Sequence, residues 1–210
     1  MSLTVDVLSD VICPWCYIGK RRLEKATAAF DRPVKVRWLP FQLNPRMPKE
    51  GISRREYRTK KFGSWEHSQE LDARVVAVGQ VEGIAFVFDR IERTPNTLNT
   101  HRLIGLADQE GVQDAVVEAL FRAYFTDGRD IGNRDVLLDV AAEAGLNRHQ
   151  AEAVLDSADG MEAIREADAL ARRLRVDGVP FFLVDGTLTL SGAQQPEAFL
   201  AAFIQAKGSE

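Results

Sequence analysis

Apolar and polar side chains alternate through LTVDVLSD (3–10), a stretch rich in Leu and Val, and this predicts a strand. From Pro14 to Phe30 the period lengthens. Ile18, Leu23, Ala26 and Phe30 keep to one face of a helix, and Pro14 suits its first turn, where a missing N–H costs little. VKVRWLPF (34–41) predicts a second strand. Strand, helix and strand in succession predict parallel pairing across a helical crossover. Pro40, Pro45 and Pro48 then break up FQLNPRMPKEG, which is predicted to be irregular.

A long stretch of helical patterns follows. SRREYRTKKF (53–62) opens with a cap at Ser53, and several later segments end in Gly, as helix C-termini often do. GIAFVFD (83–89) interrupts them and is predicted to be extended. Strand signals return only at VPFFLV (179–184) and TLTLSG (187–192), and Asp185-Gly186 between them is a strong hairpin signal. PEAFLAAFIQA (196–206) predicts a closing helix with Pro at its start. The fold class is therefore α/β. A sheet domain made of residues 1–50 and 175–210 is split by an inserted helical domain, residues 51–174, whose last helix is the one positioned to pack on the sheet.

Composition changes this picture little. The chain has 210 residues, 45% hydrophobic and 28% charged, which fits a soluble domain carrying an insertion. The net charge of -4 and the lack of a basic block longer than Lys20-Arg21-Arg22 argue against nucleic acid as a partner. No run approaches the roughly 18 apolar residues that span a membrane. Residues 1–9 lack the basic start and apolar stretch of a signal peptide, so the expected location is cytoplasmic and no membrane partner is expected.

The candidate chemistry lies in VICPWCYIGK (11–20), which holds both cysteines, Cys13 and Cys16. They fall just after the first strand, at the N-terminus of the first helix. Backbone N–H groups converge there and the helix dipole favours thiolate over thiol. With Cys16 one turn on, Cys13 can act as nucleophile and Cys16 as resolving thiol. A metal clip would need about four ligands. There are no further cysteines, and His67, His101 and His149 lack ligand spacing, so no metal is expected. An inert buried pair remains an alternative, although Pro14 and Trp15 mark a helix entrance rather than mid-helix.

Cys-Pro-Trp-Cys after an N-terminal strand resembles the thioredoxin superfamily, and the helical insert resembles its DsbA branch. SDVICPWCYIGKRRLE (9–24), PFQLNP (40–45), RTPNTLNTHRLI (93–104), EALFRAYF (118–125), GVPFFLV (178–184) and SGAQ (191–194) together resemble the FrnE-like DsbA-family oxidoreductases. These are grouped with 2-hydroxychromene-2-carboxylate isomerases and kappa-class glutathione transferases. The resemblance implies a thioredoxin fold split by a large all-helical insertion, with Cys13 and Cys16 as the redox-active centre. It implies a cis-proline at Pro180 that presents the backbone of Val179 to substrate, with Pro14 and Trp15 beside it. It also implies substrate contacts from Asn96 and His101, and glutathione-binding positions at Ser191 and Gln194. SGAQ itself carries no charged residue.

Three functions are then expected to compete. The first is a protein disulfide oxidoreductase acting on a thiol or disulfide, protein or small molecule, with glutathione as a co-substrate and no other cofactor. The second is a glutathione-dependent isomerase or transferase. Relatives of that kind usually lack the second thiol. The third is a non-catalytic, holdase-like polypeptide binder, using Phe62, Trp65, Phe86, Phe88, Phe121, Tyr124 and Phe125 as apolar surface. The assembly is expected to be a monomer or homodimer.

Overall fold

The computed structural model describes residues 2–208. The chain divides into two compact units, residues 1–43 with 162–210, and residues 44–161. The first unit is a four-stranded sheet with strand order β2-β1-β5-β6. Its strands are β1 (Leu3–Ser9), β2 (Val34–Pro40), β5 (Phe181–Val184) and β6 (Leu188–Ser191). Its helices are α1 (Pro14–Ala29), α9 (Pro196–Lys207) and nearly all of α8 (Met161–Arg173).

β1 pairs parallel with β2, as a strand-helix-strand order dictates, and antiparallel with β5. It is therefore central, and its burial shows on both faces. Val5 and Val7 lie in register with Val184 and Phe182. On that face Phe182 meets Phe199 of α9 edge-on at 4.7 Å. On the other face Leu8 and Phe181 pack with Ala171 of α8, flanked by Leu39, Phe41, Leu174 and Val176. That packing is why α8 belongs with the sheet, and it moves the second boundary from the expected 174 to 161. Asp6, on the same face as Leu8, accepts two hydrogen bonds from its register partner Arg37, at 2.6 and 2.7 Å. Asp185 and Gly186 both hold positive φ, 46° and 69°, the backbone that a tight β5–β6 hairpin requires.

The second unit contains α2 (Arg54–Phe62), α3 (Trp65–Val81), α4 (Leu98–Gln109), α5 (Gln113–Phe125), α6 (Arg134–Glu143) and α7 (Arg148–Asp156). It also has a two-residue ladder, β3 (Ile52–Ser53) with β4 (Arg93–Thr94). Four of the helices start on side-chain caps, Ser53, Ser64, Asn133 and Asn147, which satisfy first-turn N–H groups. The segment GIAFVFD forms no strand. Phe88–Arg90 is a 3-10 turn, and Phe86 and Phe88 stack at 5.0 Å with Phe125 edge-on to both. Phe86, Phe88, Phe121, Tyr124 and Phe125 are all buried, while Phe62 and Trp65 are half-buried. Five of the seven rings offered as apolar surface are thus core.

One buried polar group also organises this unit. Asp72 accepts from Arg54 and from Arg58, each at 2.6 Å. Arg58 also donates to the Ser68 hydroxyl at 2.7 Å, and Arg54 lies over the Phe88 ring at 5.2 Å. No helix among the described residues is long and apolar enough to cross a membrane.

Candidate active site

β1 ends at Ser9, and the chain turns so that the Cys13 N–H donates to the Asp10 carbonyl at 2.9 Å. Cys13 is the N-cap of α1, in extended conformation with Pro14 at the first helical position. Its side chain does not cap the helix, so the sulfur is left available for other contacts. Both cysteines are free thiols, Cys13 6% exposed and Cys16 fully buried. The Cys13 thiol donates to the Val179 carbonyl at 3.4 Å.

The two thiols are driven apart in acidity. The hydrogen bond from Cys16 is the largest influence on Cys13 and holds its thiol below the ordinary value. Burial opposes this, the backbone of Cys16 and Trp15 assists it, and the Asp10 carboxylate works against it. Burial is the largest influence on Cys16 and pushes its thiol well up, reinforced by the hydrogen bond it makes with Cys13. The Ser9 side chain and the Asp10 backbone favour the ionised form of Cys16, but do not outweigh burial. The arrangement therefore makes the outer sulfur the first to ionise and the inner one the last to give up its proton. That is the division of labour a nucleophile and a resolving thiol need.

The first unit brings together six of the sequence-predicted site residues. Pro14 and Trp15 follow Cys13 on α1, and the Trp15 ring is 39% exposed. Val179 and Pro180 precede β5, and the peptide between them is cis. Cys13 and Cys16 complete the set. Gly19 lets α1 approach this corner, because a Cβ there would sit 3.0 Å from the Pro180 ring and 3.1 Å from Phe182. Ser191 and Gln194 flank the loop that follows β6. Its Gly192 N–H donates to the Pro180 carbonyl at 2.8 Å, and buried Arg22 of α1 donates to the Ala193 carbonyl at 2.6 Å. The Gln194 amide donates to the Ser191 carbonyl at 2.6 Å.

Asn96 and His101 belong to the second unit. The Asn96 amide donates to the Met47 carbonyl at 2.6 Å and its oxygen accepts the Leu98 N–H at 2.9 Å, a structural use at the start of α4. His101 is buried within α4. Sequence reasoning missed Ser9, Asp10 and Gly19. An aspartate directly after the first strand, three residues before Cys13, was the available signal for Asp10. Among the described residues, no three of His, Cys, Asp or Glu are grouped to hold a metal ion.

Comparison with known proteins follows the same lines. A probable DsbA oxidoreductase from Streptomyces coelicolor is 35% identical and superimposes with a TM-score of 0.92 over 99% of this chain and 91% of its own. The cytosolic disulfide reductase DsbM from Pseudomonas aeruginosa shares the fold at 24% identity and a TM-score of 0.71, over 99% of this chain and all of its own. The uncharacterized protein YwbO of Bacillus subtilis is 25% identical over 95% of this chain and 94% of its own length. A 2-hydroxychromene-2-carboxylate isomerase structure also shares the fold, at 17% identity and a TM-score of 0.71 over 97% of this chain and 95% of its own. The thioredoxin fold interrupted by a helical region is thus common to all three of these solved structures. A family model described as a DSBA-like thioredoxin domain matches residues 4–204, and the chain belongs to that family.

Proposed function

We propose that this protein is a thiol-disulfide oxidoreductase that works through Cys13 and Cys16. The observation that carries the reading is the unequal pair at the start of α1, with Cys13 acidified and Cys16 held as a buried thiol. In the reducing direction the Cys13 thiolate attacks a substrate disulfide. A mixed S–S bond forms, the substrate S–S bond breaks, and the departing thiolate takes up a proton. Cys16 then loses its proton and attacks Cys13, releasing the second substrate thiol and leaving a Cys13–Cys16 disulfide. Two electrons pass from protein to substrate, and the oxidising direction is the reverse.

The backbone of Val179, beside Cys13, and the exposed Trp15 ring are the proposed substrate contacts. Glutathione is the proposed small-thiol partner. The loop from Ser191 to Gln194 is the candidate for holding it, because it is tied directly to Pro180. A DsbM structure with glutathione supports a thiol of this kind. A cytoplasmic setting is proposed on the same grounds, since DsbM is a cytosolic reductase by its description. Retention of both thiols argues against the glutathione-dependent isomerase reading, and the buried rings of the second unit argue against a holdase.

The deciding measurement is the Cys13–Cys16 reduction potential in defined glutathione buffers, run beside Cys16→Ser. A reversible couple between about -120 and -270 mV, with a mixed disulfide trapped in the variant, is the expected result. No reversible couple, with catalysis surviving Cys16→Ser, would overturn the proposal.

A further inference from the structure

The chain carries a net charge of -4, yet residues 46–62 hold seven of its 27 basic residues and two of its 31 acidic ones. That stretch is therefore +5 and the remainder of the chain -9. It lies wholly in the second unit and runs through two turns, β3 and α2. The Met47 N–H donates to the Asn44 carbonyl at 3.0 Å and the Gly51 N–H to the Pro48 carbonyl at 2.9 Å, closing the turns that carry Arg46 and Lys49. The Tyr57 hydroxyl of α2 donates to the Asn44 side-chain oxygen at 3.0 Å, which ties the first turn to the helix. Arg46, Lys49, Arg55, Lys60 and Lys61 are all exposed.

Two observations set these five side chains apart. Exposed Arg134, Arg148, Arg165 and Arg172 each pair with a carboxylate, whereas among the described residues none of the five does. Half-buried rings also hold some of the cations in place. The Arg55 guanidinium lies 5.6 Å from the Trp65 ring, and the Lys61 ammonium lies 5.3 Å from Tyr57 and 5.6 Å from Phe62. Lys61 also donates to the Tyr57 hydroxyl at 2.9 Å. A cation resting on a ring keeps its charge while its rotamers are restricted, so less ordering is left for a partner to impose.

We propose that this face of α2 and the turns before it is a docking surface for an acidic stretch of polypeptide. Guanidinium and ammonium heads match carboxylates, and a patch of one sign attracts its opposite. α2 has nine residues and is about 13 Å long. An extended peptide covers that distance in about four residues, so a few carboxylates in a row suffice. Nucleic acid favours a longer track of cations and would meet the -9 of the remaining chain. None of these side chains belongs to the candidate active site, so the surface adds a partner that the dithiol reading does not name.

The test is fluorescence anisotropy with a labelled glutamate-rich peptide at about 0.15 M salt, where exposed charges act over only about 8 Å. It compares wild type with Arg55→Glu/Lys60→Glu/Lys61→Glu and with Arg134→Glu/Arg148→Glu/Arg165→Glu, which changes the net charge equally elsewhere. The first variant is expected to weaken binding about tenfold, as three exposed ion pairs would, and the second less than about twofold. Equal losses in the two variants, or no binding by wild type, overturn the proposal. Tighter binding of single-stranded DNA or of phosphatidylserine vesicles than of the peptide also overturns it, in favour of that partner. Should a variant fail to fold, amide NMR of wild type titrated with the peptide decides the matter. Shifts are expected within residues 46–62, and shifts confined to other residues overturn the proposal.

Discussion

The Cys13 thiol donates to the carbonyl of Val179, a residue 166 positions later in the chain, at 3.4 Å. This contact fixes the outer sulfur beside the backbone of the segment that leads into β5. Cys16, one turn further into α1, has no exposed surface. Geometry and acidity thus point the same way, and they make the two thiols chemically distinct. Iodoacetamide at neutral pH is expected to modify Cys13 at least about tenfold faster than Cys16, since rate follows thiolate fraction and access. Peptide mapping by mass spectrometry reads this directly, and comparable labelling of both residues would contradict the assignment.

The same asymmetry governs how the reduced protein responds to pH. Cys13 is lowered from its ordinary 9.0, so the folded state releases that proton before the unfolded chain does. Its stabilising contribution is complete above about pH 9 and is lost as pH falls through the folded value. Cys16 is raised well above 9.0, so its contribution is complete below about pH 9 and lost as pH climbs through the folded value. In reductant, the urea stability of Cys13→Ser is therefore expected to be governed by Cys16 and to decline above about pH 9, by up to about 1.4 kcal/mol per pH unit. A profile that stays level there, relative to a variant lacking both thiols, would contradict the burial-driven shift of Cys16.

Asp72 offers a test in the helical unit. Arg54 and Arg58 both depend on its carboxylate, and the Arg54, Asp72 and Arg58 side chains are only 6%, 11% and 15% exposed. Asp72→Ala leaves two poorly solvated cations facing each other, a loss expected to cost about 3–5 kcal/mol. Urea unfolding followed through Trp65, which packs near Arg54, measures it. A cost below about 1 kcal/mol would mean that the cluster is far better hydrated than its burial indicates.

Hydrophobic period made most of this fold legible. β1, α1 and the β5–β6 hairpin follow from alternation, a leading proline and an Asp-Gly pair, because local chemistry and tertiary packing agree there. GIAFVFD misled because its unbroken run of β-branched and aromatic residues reads as a strand. They are spent on a stack of rings around Phe125 rather than on a neighbouring strand. The β3–β4 ladder spans two residues on each side, too short for any period, and arises from tertiary contact. The same limit hid part of the site. Cys13 and Cys16 announce themselves by spacing, and Pro180 by its surrounding motif. Ser9, Asp10 and Gly19 matter through what folds back against them, which no local pattern records. The edge of the insert was similarly obscure, because α8 looks like any amphipathic helix until Ala171 is seen against Leu8 and Phe181.

The pairing of β1 with β5 also sets a timetable for biosynthesis. Cys13 leaves the ribosome early, whereas Val179 follows 166 residues behind. At usual rates of elongation that gap lasts about 10–30 s. Throughout it, β1 has only β2 beside it, and the sulfurs lack the carbonyl that will face them. The insert is translated in full during this interval and can fold while the first unit is still incomplete. The nascent chain therefore carries two unshielded thiols long before it has a redox centre, and a compartment that keeps them reduced would spare it premature cross-links.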